Sequence, residues 1–278
     1  MKTLFRPLIF SSLAIFMIGC ATSGTSTGET VPATNRAKIQ LSDADAKAIG
    51  DKIWTNECNH TIEGLTSWNQ GEDFPSLGIG HFIWYVKGRP GPFDESFPSL
   101  LTYMKRQGVA VPRWLAEADG SPWKSRSEFL AQQNSPQMVE LRKFLASTVS
   151  VQTNFIVERL EMALPKMKAA TPNAADKTRL EKNFYGVASS RAGVYALIDY
   201  VNFKGEGTKA TERYKGQGWG MRDVLLDMRP NVPPTVHEYS EAAKRVLTRR
   251  VMNSDPSRNE NRWLAGWKNR CEGYKKGI

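Results

Sequence analysis

The chain has 278 residues, of which 40% are hydrophobic, and a formal net charge of +10. That size and apolar share allow one substantial core, a single domain or two lobes of one, and exclude a chain disordered beyond its N-terminus. His60, His81 and His237, with no paired cysteine and no H-E-x-x-H helix beside them, give no metal site, and nothing in the sequence asks for a cofactor.

In chain order, Lys2 and Arg6 precede an apolar run that ends in Met17-Ile18-Gly19-Cys20, the pattern of a secretory signal over residues 1–19. The apolar stretch is shorter than the roughly 20 residues that a spanning helix needs. Its end resembles a bacterial lipobox. The resemblance implies cleavage before Cys20, lipid attachment to the Cys20 thiol and, with Ala21 next, an outer-membrane lipoprotein facing the periplasm. Residues 20–40, rich in Thr, Ser and Gly, read as a flexible tether, and residues 41–278 as the folded domain. Lys2 and Arg6 are the only charged residues in 1–19, so cleavage leaves a formal charge of +8. A moderately basic exported domain suits an anionic partner, either cell-wall glycan with acidic stem peptides or a lipid surface; export argues against nucleic acid.

Ser42 then opens a helix as its N-cap, Asp43 and Asp45 favour the positive end of its dipole, and Ala46, Ile49, Ile53 and Trp54 recur on one apolar face. The helix should end near Asn59. Glu57, four residues after Ile53, is expected on the core-facing side, where burial and the carbonyl end of the dipole would raise its pKa as a general acid requires. Strands are confined to 64–86. A loop marked by Gly88, Pro90, Gly91 and Pro92 follows, and helices are predicted at about 94–107, 125–146 with a break at Pro136, 148–164, 174–201 with a break near Gly186, 220–228, 235–252 and 256–275. The fold class is therefore α+β and mostly α-helical, a small hairpin lobe facing a larger helical lobe with a cleft between them as the natural substrate site.

Within 64–86, Gly78-Ile79-Gly80-His81 follows Ser76-Leu77, and the hairpin turn before it carries Glu72 and Asp73. Glycines in a strand mark a bend or a close approach. A helix-terminal acid, a short hairpin, a hydroxyl residue and a Gly-x-Gly-His return strand together resemble the phage-type lysozymes over about 30 residues. A second stretch, Ala196 to Gly205 with its Asn202-x-x-Gly205 turn, is similar to a later helix of that family, as is Trp263 to Arg270 to its C-terminal helix. Residues 86–185 have no assigned counterpart. The resemblance implies a lysozyme-like fold, peptidoglycan as partner, and cleavage of its glycan strands as a muramidase or a lytic transglycosylase.

By that resemblance Glu57 matches the catalytic acid in its position at the helix end, while Glu63-Gly64 matches the local text of the motif; Glu57 is preferred and Glu63 stays open. Glu72 stands near the family's second acid, although counting back from His81 puts Gln70 there. Ser76 matches the hydroxyl that would position water, and His81 the return-strand histidine. Another constellation, Glu206 with Gln217 and Trp219 in a stretch dense in Gly and aromatics, suits sugar binding, since aromatic faces stack on pyranose rings while amides bind hydroxyls; Glu206 could supply the second carboxylate. A sharply turning loop that buries Trp219 is the plainer reading. With Cys20 lipidated, Cys58 and Cys271 remain, either bridged in an oxidising compartment or both free. Two other functions compete: a non-catalytic glycan-binding lipoprotein, and a Cys/His cell-wall peptidase using Cys58 with His60 or His81. A thiol nucleophile is better served by a helix N-terminus than by the C-terminal end that Cys58 occupies.

Overall fold

The computed structural model describes residues 38–278. The signal segment 1–19, the lipid-acceptor Cys20 and nearly all of the tether lie outside the described residues. Packing begins at Ile39, two residues before the expected boundary: its side chain joins the core and its backbone N–H donates to Glu161 Oε1 at 2.5 Å.

Helix α1 spans Asp43–Cys58. The Ser42 hydroxyl accepts from the Asp45 backbone N–H at 3.1 Å, and the helix stops where Asn59 and His60 both enter the left-handed region. The His60 ring lies stacked on Trp54, with centroids 4.3 Å apart, which holds the reversal in place. Three two-residue strands follow, β1 Thr66–Ser67, β2 Ser76–Leu77 and β3 Phe82–Ile83, antiparallel in the order β1-β2-β3. Thr66 pairs with Leu77, and Ser76 with both Ser67 and Ile83. They are short because the chain leaves the sheet at Gly78, whose φ of +71° favours glycine and whose missing side chain leaves room for Gln152. Between β2 and β3 the Ile79 backbone N–H donates to Gln152 Oε1 at 3.0 Å.

The rest is helical: α2 Phe97–Arg106, α3 Arg113–Ala116, α4 Arg126–Ala131, α5 Pro136–Ser147, α6 Val149–Ala169, α7 Ala174–Val187, α8 Arg191–Lys204, α9 Met221–Asp227, α10 Val236–Asn253 and α11 Asn261–Gly273. The two predicted breaks fall where Ser135 and Ser190 cap new helices, each hydroxyl accepting a backbone N–H three residues on. The short α3 and a second hairpin, β4 Arg213–Tyr214 with β5 Gln217–Gly218, add to the expected elements. The fold is thus α+β and mostly helical, with two small antiparallel sheets among the described residues.

Helix α6 is the axis of the core. At Gly50 of α1 any side chain would run into Thr153 and Val149, so the two helices approach closely there. Since Gly50 meets 149–153 while Ile39, upstream of α1, meets Glu161, α1 and α6 run antiparallel. The hairpin is tied to the helical part by Trp84 and Trp123, both 1% exposed and packed edge to face with centroids 6.3 Å apart, and by Phe129 against Trp123 at 5.1 Å. Each such burial contributes about 1.5–3 kcal/mol.

Candidate functional site

The α1 terminus and the return strand bring Glu57, Cys58 and His81 together. His81 Nδ1 lies 3.9 Å from Glu57 Oε2, and His81 Nε2 lies 3.5 Å from Cys58 Sγ. His81 itself has φ +47°, so the turn after Gly80 aims its ring back at the helix end. The hairpin adds Glu72, whose Oε2 accepts from Asn69 Nδ2 at 3.1 Å and whose charge reaches the imidazole. Burial pulls the His81 pKa down, while Glu57 and Glu72 pull it the other way. Burial, reinforced by Glu57 next door, pushes the Cys58 thiol up to about 12, so the thiol keeps its proton at neutral pH.

Glu57 is more exposed than its spacing from Ile53 suggests, with 38% of its side chain open to solvent. The buried seam of α1 runs through Ala46, Ile49, Gly50, Ile53, Trp54 and Cys58. With 3.6 residues per turn Glu57 stays within about 40° of Ile53 on that same face, so its exposure goes with its place in the last turn of the helix, where Cys58 is the buried residue. Glu63 sits in a separate 3-10 turn, Glu63–Leu65, and its charge faces Arg142 instead of His81. Arg142 is buried between Thr66 Oγ1, which accepts from Nε at 2.8 Å, and the backbone and side chain of Gln133. Ser76 is 5% exposed in the middle strand.

Glu206, Gln217 and Trp219 do not join this group. Glu206 lies 3.7 Å from Lys166 near the C-terminal end of α6, whereas Gln152 beneath the hairpin is in its first turn. Fourteen residues of helix between them correspond to about 21 Å, so Glu206 cannot pair with Glu57 across one glycosidic bond. Burial raises the Glu206 pKa, Lys166 opposing. Trp219 is 6% exposed, its ring covered by the Arg250 guanidinium at 4.1 Å and by Tyr214 at 4.4 Å, and so offers no open platform. Gln217 accepts from Asn253 Nδ2 at 3.1 Å on the surface of β5. Nearby, Lys204 is 8% exposed with its ammonium on the Trp267 ring at 3.5 Å and the Phe203 ring at 4.0 Å, and burial pulls its pKa down to about 6.

Cys58 and Cys271 are both free and buried, the second of the two alternatives left open by the sequence. Cys58 faces His81, while Cys271 of α11 packs beneath α10, its carbonyl accepting from Ser240 Oγ at 2.7 Å. A polar chain links the same two helices instead. Asn56 Nδ2 donates to Tyr195 Oη at 2.6 Å, Tyr195 donates to Asp199 Oδ1 at 3.4 Å, and Asp199 accepts from Arg270 twice at 2.7 Å and from Tyr274 at 2.6 Å.

Sequence reasoning missed this chain, and it missed Gln152. Gln152 is fully buried, and besides receiving Ile79 it donates through Nε2 to the Leu145 carbonyl at 2.7 Å and Thr148 Oγ1 at 3.1 Å. The available signal was a polar residue inside an apolar seam, with Val149 three residues before it and Phe155 three after. Two surface depressions, about 620 Å³ lined by Trp114, Pro136, Glu140 and Lys143 among others, and about 500 Å³ lined by Lys87, Arg89, Asp119 and Lys124 among others, include neither Glu57 nor His81. Comparison with protein-family models, curated proteins and solved structures returns no match to the chain.

Proposed function

We propose that this chain cleaves the glycan strands of peptidoglycan with a lysozyme-like arrangement of a hairpin lobe and a helical lobe, and that it does so as an outer-membrane lipoprotein on the periplasmic side. The observation that carries the reading is the convergence of a helix-terminal acid, Glu57, and a hairpin acid, Glu72, on His81 of the Gly-x-Gly-His strand. Glu63 and Glu206 face elsewhere.

Glycosidic cleavage needs a proton delivered to the leaving oxygen as the sugar ring develops positive charge. In this reading Glu57 supplies that proton, and its exposure leaves it within reach of a long polymer. Glu72 then acts as base toward water, giving a reducing end, or the sugar's own hydroxyl attacks and gives an anhydro product. Either way the proton lost by Glu57 to the leaving oxygen is replaced from the attacking hydroxyl or from solvent. The net charge of +8 after removal of residues 1–19 suits the acidic stem peptides of the polymer.

The test is digestion of purified peptidoglycan with mass analysis of the products. Reducing-end or anhydro muropeptides that vanish in Glu57→Gln and persist in Glu63→Gln support the reading; the reverse pattern moves the acid to Glu63. Sacculus binding without products leaves a glycan-binding module.

One observation favours a second reading: Cys58, His81 and Glu57 stand in the order of a thiol, a base and an orienting acid. Against it, Cys58 is 5% exposed and its thiol is pushed up to about 12, the opposite of an activated nucleophile. Cleaved stem peptides, lost in Cys58→Ser, would establish it.

A further inference from the structure

The second ring nitrogen of His81 is engaged by a residue that the proposed chemistry does not use. A neutral imidazole carries one N–H and one lone pair, and the partner of one nitrogen decides the role of the other. Cys58 Sγ is 3.5 Å from Nε2, and Glu57 Oε2 is 3.9 Å from Nδ1. Both residues belong to the last turn of α1, and Cys58 lies on its buried seam, so the contact is fixed by the packing of the helix. The left-handed backbone at His81 fixes the ring from the other side.

We propose that Cys58 is a positioning residue: its S–H donates to His81 Nε2, which places the imidazole proton on Nδ1 and presents that N–H to the Glu57 carboxylate. A protonated thiol is a donor, and burial beside Glu57 keeps this one protonated. The relay thus runs from Cys58 S–H through Nε2 and Nδ1–H to Glu57, and no proton needs to move along it. Its effect is on Glu57 after proton transfer, when the carboxylate is charged and the Nδ1–H dipole 3.9 Å away stabilises it electrostatically. Glu72, on the hairpin side, is the other charged group that acts on the ring. The consequence for catalysis rests on Glu57 being the acid; the tautomer does not.

Long-range proton–nitrogen correlation spectra of the 15N-labelled protein test the assignment directly. In the wild type, Nδ1 of His81 is expected at the shift of a protonated nitrogen and Nε2 at that of a lone-pair nitrogen. Cys58→Ser, whose hydroxyl can donate the same way, keeps the pattern; Cys58→Ala, which removes the donor, shifts protonation toward Nε2. A wild type with its proton on Nε2, or a Cys58→Ala pattern identical to wild type, overturns the proposal. On peptidoglycan, a fall in kcat at constant KM in Cys58→Ala with recovery in Cys58→Ser supports it, whereas equal loss in both variants overturns it. If the wild type cuts no glycan strand, the functional reading fails and the nitrogen shifts still decide the tautomer.

Discussion

The hairpin region, residues 57–85, and the glycine-rich stretch, residues 204–220, both combine glycines, acids and aromatic rings, and both qualify as sugar sites by composition. They differ in where their polar groups point. In the second, Glu212 accepts the Gly207 backbone N–H at 2.9 Å, Asp223 of α9 accepts that of Gly220 at 3.0 Å, and Trp219 lies beneath Arg250, itself paired twice with Glu260 at 2.8 and 2.9 Å. Those groups hold a turning chain in shape. In the hairpin region Glu57 reaches outward from the end of a helix, and His81 is turned toward it by a backbone conformation that L-residues seldom adopt. Acids and aromatics become a site when the fold supports them and leaves an acid open to a ligand.

Four experiments would break or sharpen that contrast. The largest effect is expected from Glu57→Gln, a loss of about 10²–10⁴-fold in glycan-cleavage rate, against little change for Glu206→Gln; an equal loss in both would erase the distinction, and peptidoglycan digestion measures it. Next is Asp199→Asn. Leaving Arg270 without its buried carboxylate should destabilise the protein by about 3–5 kcal/mol, read from urea unfolding.

Lys204→Met tests the second region from the opposite direction. Because the folded value of Lys204 is lowered to about 6 while an unfolded lysine titrates near about 10.4, the unfolded chain binds more protons between those limits and stability rises with pH across them. The penalty is complete below about pH 6 and gone above about pH 10.4, so the methionine variant should melt higher than wild type at pH 6 and converge with it as pH approaches 10.4. A parallel pair of melting curves would mean that the ammonium carries no penalty. Smallest is Gln152→Leu, which leaves the buried Ile79 N–H and Leu145 carbonyl with a partner lost; about 1–3 kcal/mol of stability should go, and faster amide exchange at Ile79 would report it.

Much of the scaffold was legible because it rests on local signals. Ser42 announces the first helix through its own hydroxyl, Pro136 and Gly186 announce the two helix breaks, and Gly78 and Gly80 announce the bent strand. What was not legible depends on place within an element or on distance. Glu57 was placed on the core side by counting four residues from Ile53; the face is right, but in the last turn of the helix the side chain stays 38% open to solvent. Gln152 and Arg142 meet the hairpin across more than seventy residues of sequence, and no local pattern says which distant strand an inward-turned polar residue will meet. Two cysteines could not say whether α1 and α11 are joined by a bridge or carry free thiols; both are free, and the two helices are linked by hydrogen bonds through Tyr195 and Asp199.

That chain of bonds has a kinetic consequence. It connects Asn56 to Arg270 and Tyr274, so it closes a loop of more than two hundred residues, and contacts of such separation form late because the entropy of closure must be met first. The end of α1 that carries Glu57 is therefore coupled, through Tyr195 and Asp199 of α8, to the docking of the last helix. A product lacking residues 270–278 would keep every residue of the hairpin and still strip Asp199 of its Arg270 and Tyr274 donors. Truncation there should open the molecule to proteolysis at the α1 end as well as at the cut, and the order in which a protease releases fragments would reveal it.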